Sequence, residues 1–123
     1  MRFTEHELTA AVTGAAQVVA AGRRGRKDPQ AAWDALGRYE RYQAMSAVGD
    51  QILPVLVDLP DVEVAAGSRP TFTDAQVTAA VERSLGDGVA GRLKRKVLVA
   101  GRVALVRTAL AALPVRQDPD ALT

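Results

Sequence analysis

The chain contains no cysteine and a single histidine, His6, and only 4% of its residues are aromatic. The first absence excludes disulfides, thiol nucleophiles and thiolate metal sites. The second leaves almost no supply of metal ligands or general bases. His6-Glu7 opens like a zinc-protease HExxH motif, but Ala10 stands at the second histidine position and no other histidine exists. Ser46, Ser68 and Ser84 likewise lack a histidine partner for nucleophilic chemistry. With so few aromatics, a core must be built from Ala, Val and Leu, small side chains that let helices approach closely. At 123 residues the chain is long enough to bury such a core within one domain.

Long apolar runs are also scarce, with one exception that organises the reading. Gly91 to Leu113 begins with a basic cluster and continues as the longest apolar segment; from Val97 onward only Arg102, Arg107 and Thr108 are polar. This is short of the roughly 20 apolar residues a membrane span requires. Two arginines would also enter the hydrocarbon at about 2.5–3.5 kcal/mol each. The segment reads instead as the central helix of an all-α, four- to five-helix bundle, wrapped by the others because it is apolar around most of its girth.

The remaining helices follow from start and stop signals. Thr4 caps a first helix, Glu7 closes a capping box, and Phe3 and Leu8 have the spacing of a hydrophobic staple. Gly22 stops this helix. Asp28-Pro29 starts the next, whose buried stripe is read as Ala32, Ala35, Tyr39, Tyr42 and Met45, with Gly37 tolerated inside it. Gly49-Asp50 predicts a kink or restart capped by Asp50. Residues 52–64 admit two readings, a helix with Pro54 near its first turn or a short hairpin; the helix is preferred. Phe72 to Val81 (FTDAQVTAAV) repeats Phe3 to Val12 (FTEHELTAAV), which reflects either a duplicated helix pair or convergence on one capping chemistry. Pro114 ends the last helix. The domain is placed at residues 1–114, with 115–123 a polar, loosely held tail.

Three further patterns resolve into bland readings. Gly86-Asp87-Gly88-Val89-Ala90-Gly91 spells GxGxxG, but no strand precedes it and no acid follows before Asp118, so a glycine-rich turn is expected. Asp58, Asp61 and Glu63 form a carboxylate cluster in a proline-containing connection, expected to be solvated. No catalytic, cofactor or metal residues are assigned, and a non-enzymatic protein is expected.

The basic segments carry the best functional signal. Arg23, Arg24, Arg26 and Lys27 sit on a loop, and Arg92, Lys94, Arg95 and Lys96 on a helix start. Together with Arg38-Tyr39-Glu40-Arg41-Tyr42 they could follow a phosphate backbone and stack on bases. Against this stand a net charge of only +2, the interruption by Glu40 and the assignment of both tyrosines to the core. The first expectation is therefore a protein-interaction or regulatory module that binds a protein partner or itself. Nucleic-acid binding through the eight cations is the alternative, and no membrane partner is expected. Acids near the N-terminus, where a signal peptide needs positive charge, point to the cytoplasm.

RFTEHELTAA, GDQILPVLVDLPDVEV, RPTFTDAQV and the ALP…DPDAL tail resemble small helical proteins of high-GC actinobacteria that carry no assigned activity. The resemblance implies a bacterial, cytoplasmic setting and assigns no role to any residue.

Overall fold

In the computed structural model, which describes residues 1–23, 25, 28–86 and 91–117, five helices follow one another in a small bundle. They are α1 (Glu5–Arg23), α2 (Pro29–Asp34), α3 (Arg38–Asp58), α4 (Asp74–Leu85) and α5 (Arg92–Ala111). The all-α architecture is thus as the sequence patterns predict. No strand occurs among the described residues, so the helical alternative for residues 52–64 holds as far as Asp58, and an extended connection follows. No helix of the described residues is long and apolar enough to cross a membrane.

Both repeated start signals form as written. Thr4 N–H donates to Glu7 Oε1 at 2.9 Å and Glu7 N–H to Thr4 Oγ1 at 3.1 Å. Thr73 and Gln76 repeat the pair at 2.9 and 3.1 Å. Each box satisfies two donors that the first turn would otherwise leave open. Behind them the two halves diverge: α1 has 19 residues and α4 only 12, and among the described residues α2 has no counterpart before α5.

The second and third helices depart from expectation in three ways. Gly37 does break the chain: α2 stops at Asp34, and α3 starts afresh with Gly37 as its N-cap. Arg41 stabilises that break. Its Nε and Nη2 donate to the carbonyls of Trp33 and Asp34 at 3.0 and 3.2 Å, and its guanidinium lies 6.0 Å over the Trp33 ring. Gly49-Asp50, by contrast, neither kinks nor restarts anything, because α3 runs through both and through Pro54 as far as Asp58. Finally, the buried stripe of α3 is Val48, Ile52, Val55 and Leu56. Tyr39 and Tyr42 are 70% and 68% exposed, and Ala35 is exposed too. Restarting the helix at Gly37 rotates the tyrosines off the face that Ala32 and Trp33 bury.

α1 and α5 each pack on three other helices, α1 on α2, α3 and α5 and α5 on α1, α3 and α4, and α1 buries more of its length. Ala11, Ala15 and Ala16 are fully enclosed, and Gly14 passes so close to α5 that a Cβ there would overlap Ala112 Cβ. α5 runs antiparallel to it, since Arg116 meets Glu7, Ala112 meets Gly14, and Leu105 shares a groove with Val19 and Ala20. Only Val106, Ala109 and Leu110 of α5 are buried. Continuing this register at 1.5 Å per residue, α1 runs out opposite about Arg102. The earlier turns of α5 have α4 beside them, where Arg95 Nη1 donates to Gly86 O at 2.5 Å and Nη2 to Glu82 O at 3.2 Å. Gly86 (φ 64, ψ −169) ends α4 in a conformation essentially reserved for glycine.

The chain after Leu113 is anchored as far as the structure describes it. Arg116 exchanges backbone hydrogen bonds with Gly67 and Ser68 at 2.6 and 2.8 Å, and its side chain reaches Glu7. Residues 118–123, the rest of the expected loose tail, lie outside the described residues.

Candidate functional site

Seen down its axis, α5 has an unusual outer face. At 100° per residue, Leu93, Val97, Ala100, Gly101, Ala104 and Ala111 fall on one side, opposite the buried Val106 and Leu110. All six are exposed, Leu93 at 78% and Val97 at 67%, and Leu98 beside them at 44%. The solvent face of a surface helix is normally polar. Here it carries no charge from Leu93 to Ala104, about 17 Å of helix, before Arg107, which falls about 20° from Ala100 and pairs with Asp74, interrupts it ahead of Ala111. Gly101 has no neighbouring atom within 4 Å of where its Cβ would lie, so packing within the chain gives no reason for a glycine there. The sequence signal was present as a helix apolar all round; what it hid was that the bundle covers only one side.

Cations rim this face. Arg92, Lys94 and Lys96 are exposed, and neither they nor Arg102 makes a hydrogen bond or ion pair with a described residue. The other cations of the segment are committed. Arg95 caps the carbonyl end of α4. Arg107 donates to Phe72 O at 3.1 Å and pairs with Asp74, fastening α5 to the start of α4. Of the eight cations proposed from sequence for a polyanion site, the structure thus leaves Arg92, Lys94 and Lys96 free on one helix start and gives Arg95 a structural role. Arg23 stands at the end of α1 and lines a groove with Glu40, Gln43 and Leu105. Arg24, Arg26 and Lys27 lie outside the described residues, as do positions 87–90 of the GxGxxG match.

Sequence reasoning missed a second exposed face. On α3, Asp50, Leu53, Pro54 and Val57 point to solvent on one side, with Val57 62% exposed. The acids of this region are partly engaged. Asp58 Oδ2 accepts from Arg83 Nε at 2.6 Å, and Asp61 Oδ1 accepts from Arg2 N–H at 3.1 Å. Both contacts are exposed, as expected of a solvated cluster, and an ion pair such as Arg83–Asp58 is worth about 0–1 kcal/mol.

The one buried charge among the described residues is Glu7, 3% exposed, in a cleft of about 620 Å³ between the start of α1 and residues 114–117. Burial pushes its carboxyl pKa up, but hydrogen bonds from Arg116 and from the Thr4 N–H, with the Arg116 charge, outweigh burial and hold it below the usual glutamate range. Both carboxylate oxygens accept hydrogen bonds, from Thr4 N–H at 2.9 Å and from Arg116 at 3.2 and 3.3 Å. A carboxylate so engaged acts as a strut between α1 and the chain after α5. His6, beside it in sequence, is exposed.

Comparison with known proteins adds no relative: no family model, no curated protein and no solved structure matches the chain.

Proposed function

We propose that this protein is a non-enzymatic helical interaction module, acting in the bacterial cytoplasm, whose docking surface is the outer face of α5. One observation carries the reading: a 20-residue helix is buried along one side and uncharged along the other from Leu93 to Ala104, with Leu93 and Val97 largely in water. Exposed apolar side chains scattered singly need no explanation, whereas a continuous row rimmed by charge marks contact surfaces. Glycine and alanine at its centre suit close approach of a second backbone. The test is Val97→Glu in the full chain. It should lower the oligomeric mass measured by light scattering, or release a partner retained by the immobilised wild-type chain. An unchanged mass together with unchanged retention rejects the reading.

A second reading, nucleic-acid binding, is favoured by the exposure of Tyr39 and Tyr42. Both rings are available for stacking, and Arg38 beside them is exposed. This removes the objection that the tyrosines form core, while Arg95 is lost from the cationic set because α4 occupies it. Its test is salt-dependent fluorescence anisotropy with duplex DNA and single-stranded RNA.

A further inference from the structure

Charge is segregated along this chain in a way that the net value of +2 conceals. From Gly88 to Gln117 there is no acid, and the segment holds Arg92, Lys94, Arg95, Lys96, Arg102, Arg107 and Arg116. From Tyr42 to Ser68 there is no cation, and the segment holds Asp50, Asp58, Asp61 and Glu63. Each segment also presents an exposed apolar pair at i, i+4 spacing on a helix: Leu93 and Val97 on α5, Leu53 and Val57 on α3. The two pairs do not cover one another, since all four side chains are exposed in the folded chain.

We propose that the occupant of the α5 face is a second copy of this chain, which offers the outer face of its α3. The inference rests on the docking reading of α5 given above. Contact between two α5 faces would set Lys94 and Lys96 of each copy against a segment that holds no acid to pair with them, and unmatched like charge across an interface suppresses association. Contact of α5 with α3 sets Arg92, Lys94 and Lys96 against Asp50 and Glu63 around an apolar strip, where Arg83, the cation beside Leu53 and Val57, is already held by Asp58. Ala100 and Gly101 then give Pro54 and Val57 room to approach. A bilayer surface fits less well, because binding to it scales with buried apolar area and the middle of the α5 face is alanine and glycine. Made one way, the contact is heterologous and propagates head to tail into a ring or an open chain of copies; made reciprocally, α5 on α3 and α3 on α5, it closes as a symmetric pair.

Heterologous pairing has a mixing signature. Sedimentation velocity on the full chain should show mass rising with protein concentration and falling with salt. Leu93→Gln/Val97→Gln, which breaks the α5 face, and Leu53→Gln/Val57→Gln, which breaks the α3 face, should each weaken association about tenfold or more. Mixed in equal amounts, the two variants should form a one-to-one dimer through their remaining intact faces. Helical circular dichroism and the melting temperature establish that both variants are folded, as substitutions of exposed residues should leave them. If only the α5 variant loses association and the α3 variant behaves as wild type, the α3 contact is overturned while α5 docking stands. Mass that stays monomeric at every concentration and salt overturns self-association. Retention of a different partner by the α5 face, lost on Val97→Glu, then still tests the docking reading by itself.

Discussion

Arg116 Nε donates to Glu7 Oε2 at 3.2 Å across 109 residues of sequence, joining the first turn of α1 to the chain beyond α5. The same guanidinium donates to the Arg2 carbonyl at 3.2 Å, so one side chain gathers both ends of the described fold. Glu7 is held ionised here against the cost of its burial. Its folded pKa is lowered, so its contribution to stability is complete above the unfolded value near 4.3 and is lost as pH falls through the folded value. Glu7→Gln should cost about 1–3 kcal/mol at neutral pH. It should also flatten the acid limb of the stability–pH curve, measured by urea unfolding at pH 7 and at successively lower pH. A Glu7→Gln variant with wild-type acid sensitivity would show that the pair is not what responds to acid.

Two glycines on the α1–α5 pair should respond oppositely to alanine. Gly14→Ala gains helix propensity but drives a methyl into Ala112, and overpacking of this kind costs about 1–3 kcal/mol. Gly101→Ala meets nothing within 4 Å and should stabilise the isolated fold by up to about 1 kcal/mol. If α5 docks through this face, the added methyl should also weaken association. Melting temperatures of the two variants, set beside their sedimentation, separate the effects.

Trp33 is the chain's one tryptophan, 8% exposed and covered by Arg41. Its emission should therefore be blue-shifted and quench poorly with iodide. Arg41→Ala should remove the caps on Trp33 and Asp34, red-shift the emission and cost about 1 kcal/mol in stability. Unchanged emission in that variant would mean that α2 is held by packing alone.

Should nucleic acid bind, the exposed groups name the determinants. Tyr39→Ala/Tyr42→Ala should reduce single-stranded RNA affinity by about 1–3 kcal/mol per stacked base and leave the salt slope nearly unchanged. Arg92→Ala/Lys94→Ala/Lys96→Ala should reduce the slope of log affinity against log salt. Arg95→Ala should instead act on stability, because its guanidinium caps α4. A flat anisotropy trace at low salt rejects this reading as a whole.

What the sequence determined by itself was local. Thr4 with Glu7, Thr73 with Gln76, Asp28 with Pro29, and the stop at Gly86 are chemistry between neighbours, and each stands in the structure where the spacing predicts it. All-helical class follows from the same signals. Which face of a helix is buried was not local. Tyr39 and Tyr42 sit at core spacing only if the helix continues from Asp28, and the break at Gly37 turns them outward. The apolar girth of α5 predicts burial, but burial needs neighbours. α1 ends too soon to cover the α5 start, and α4 takes only the side that Arg95 faces. Tertiary structure alone decided that α1 became more deeply buried than α5, because Gly14 and three enclosed alanines let its neighbours come close, and close approach buries surface.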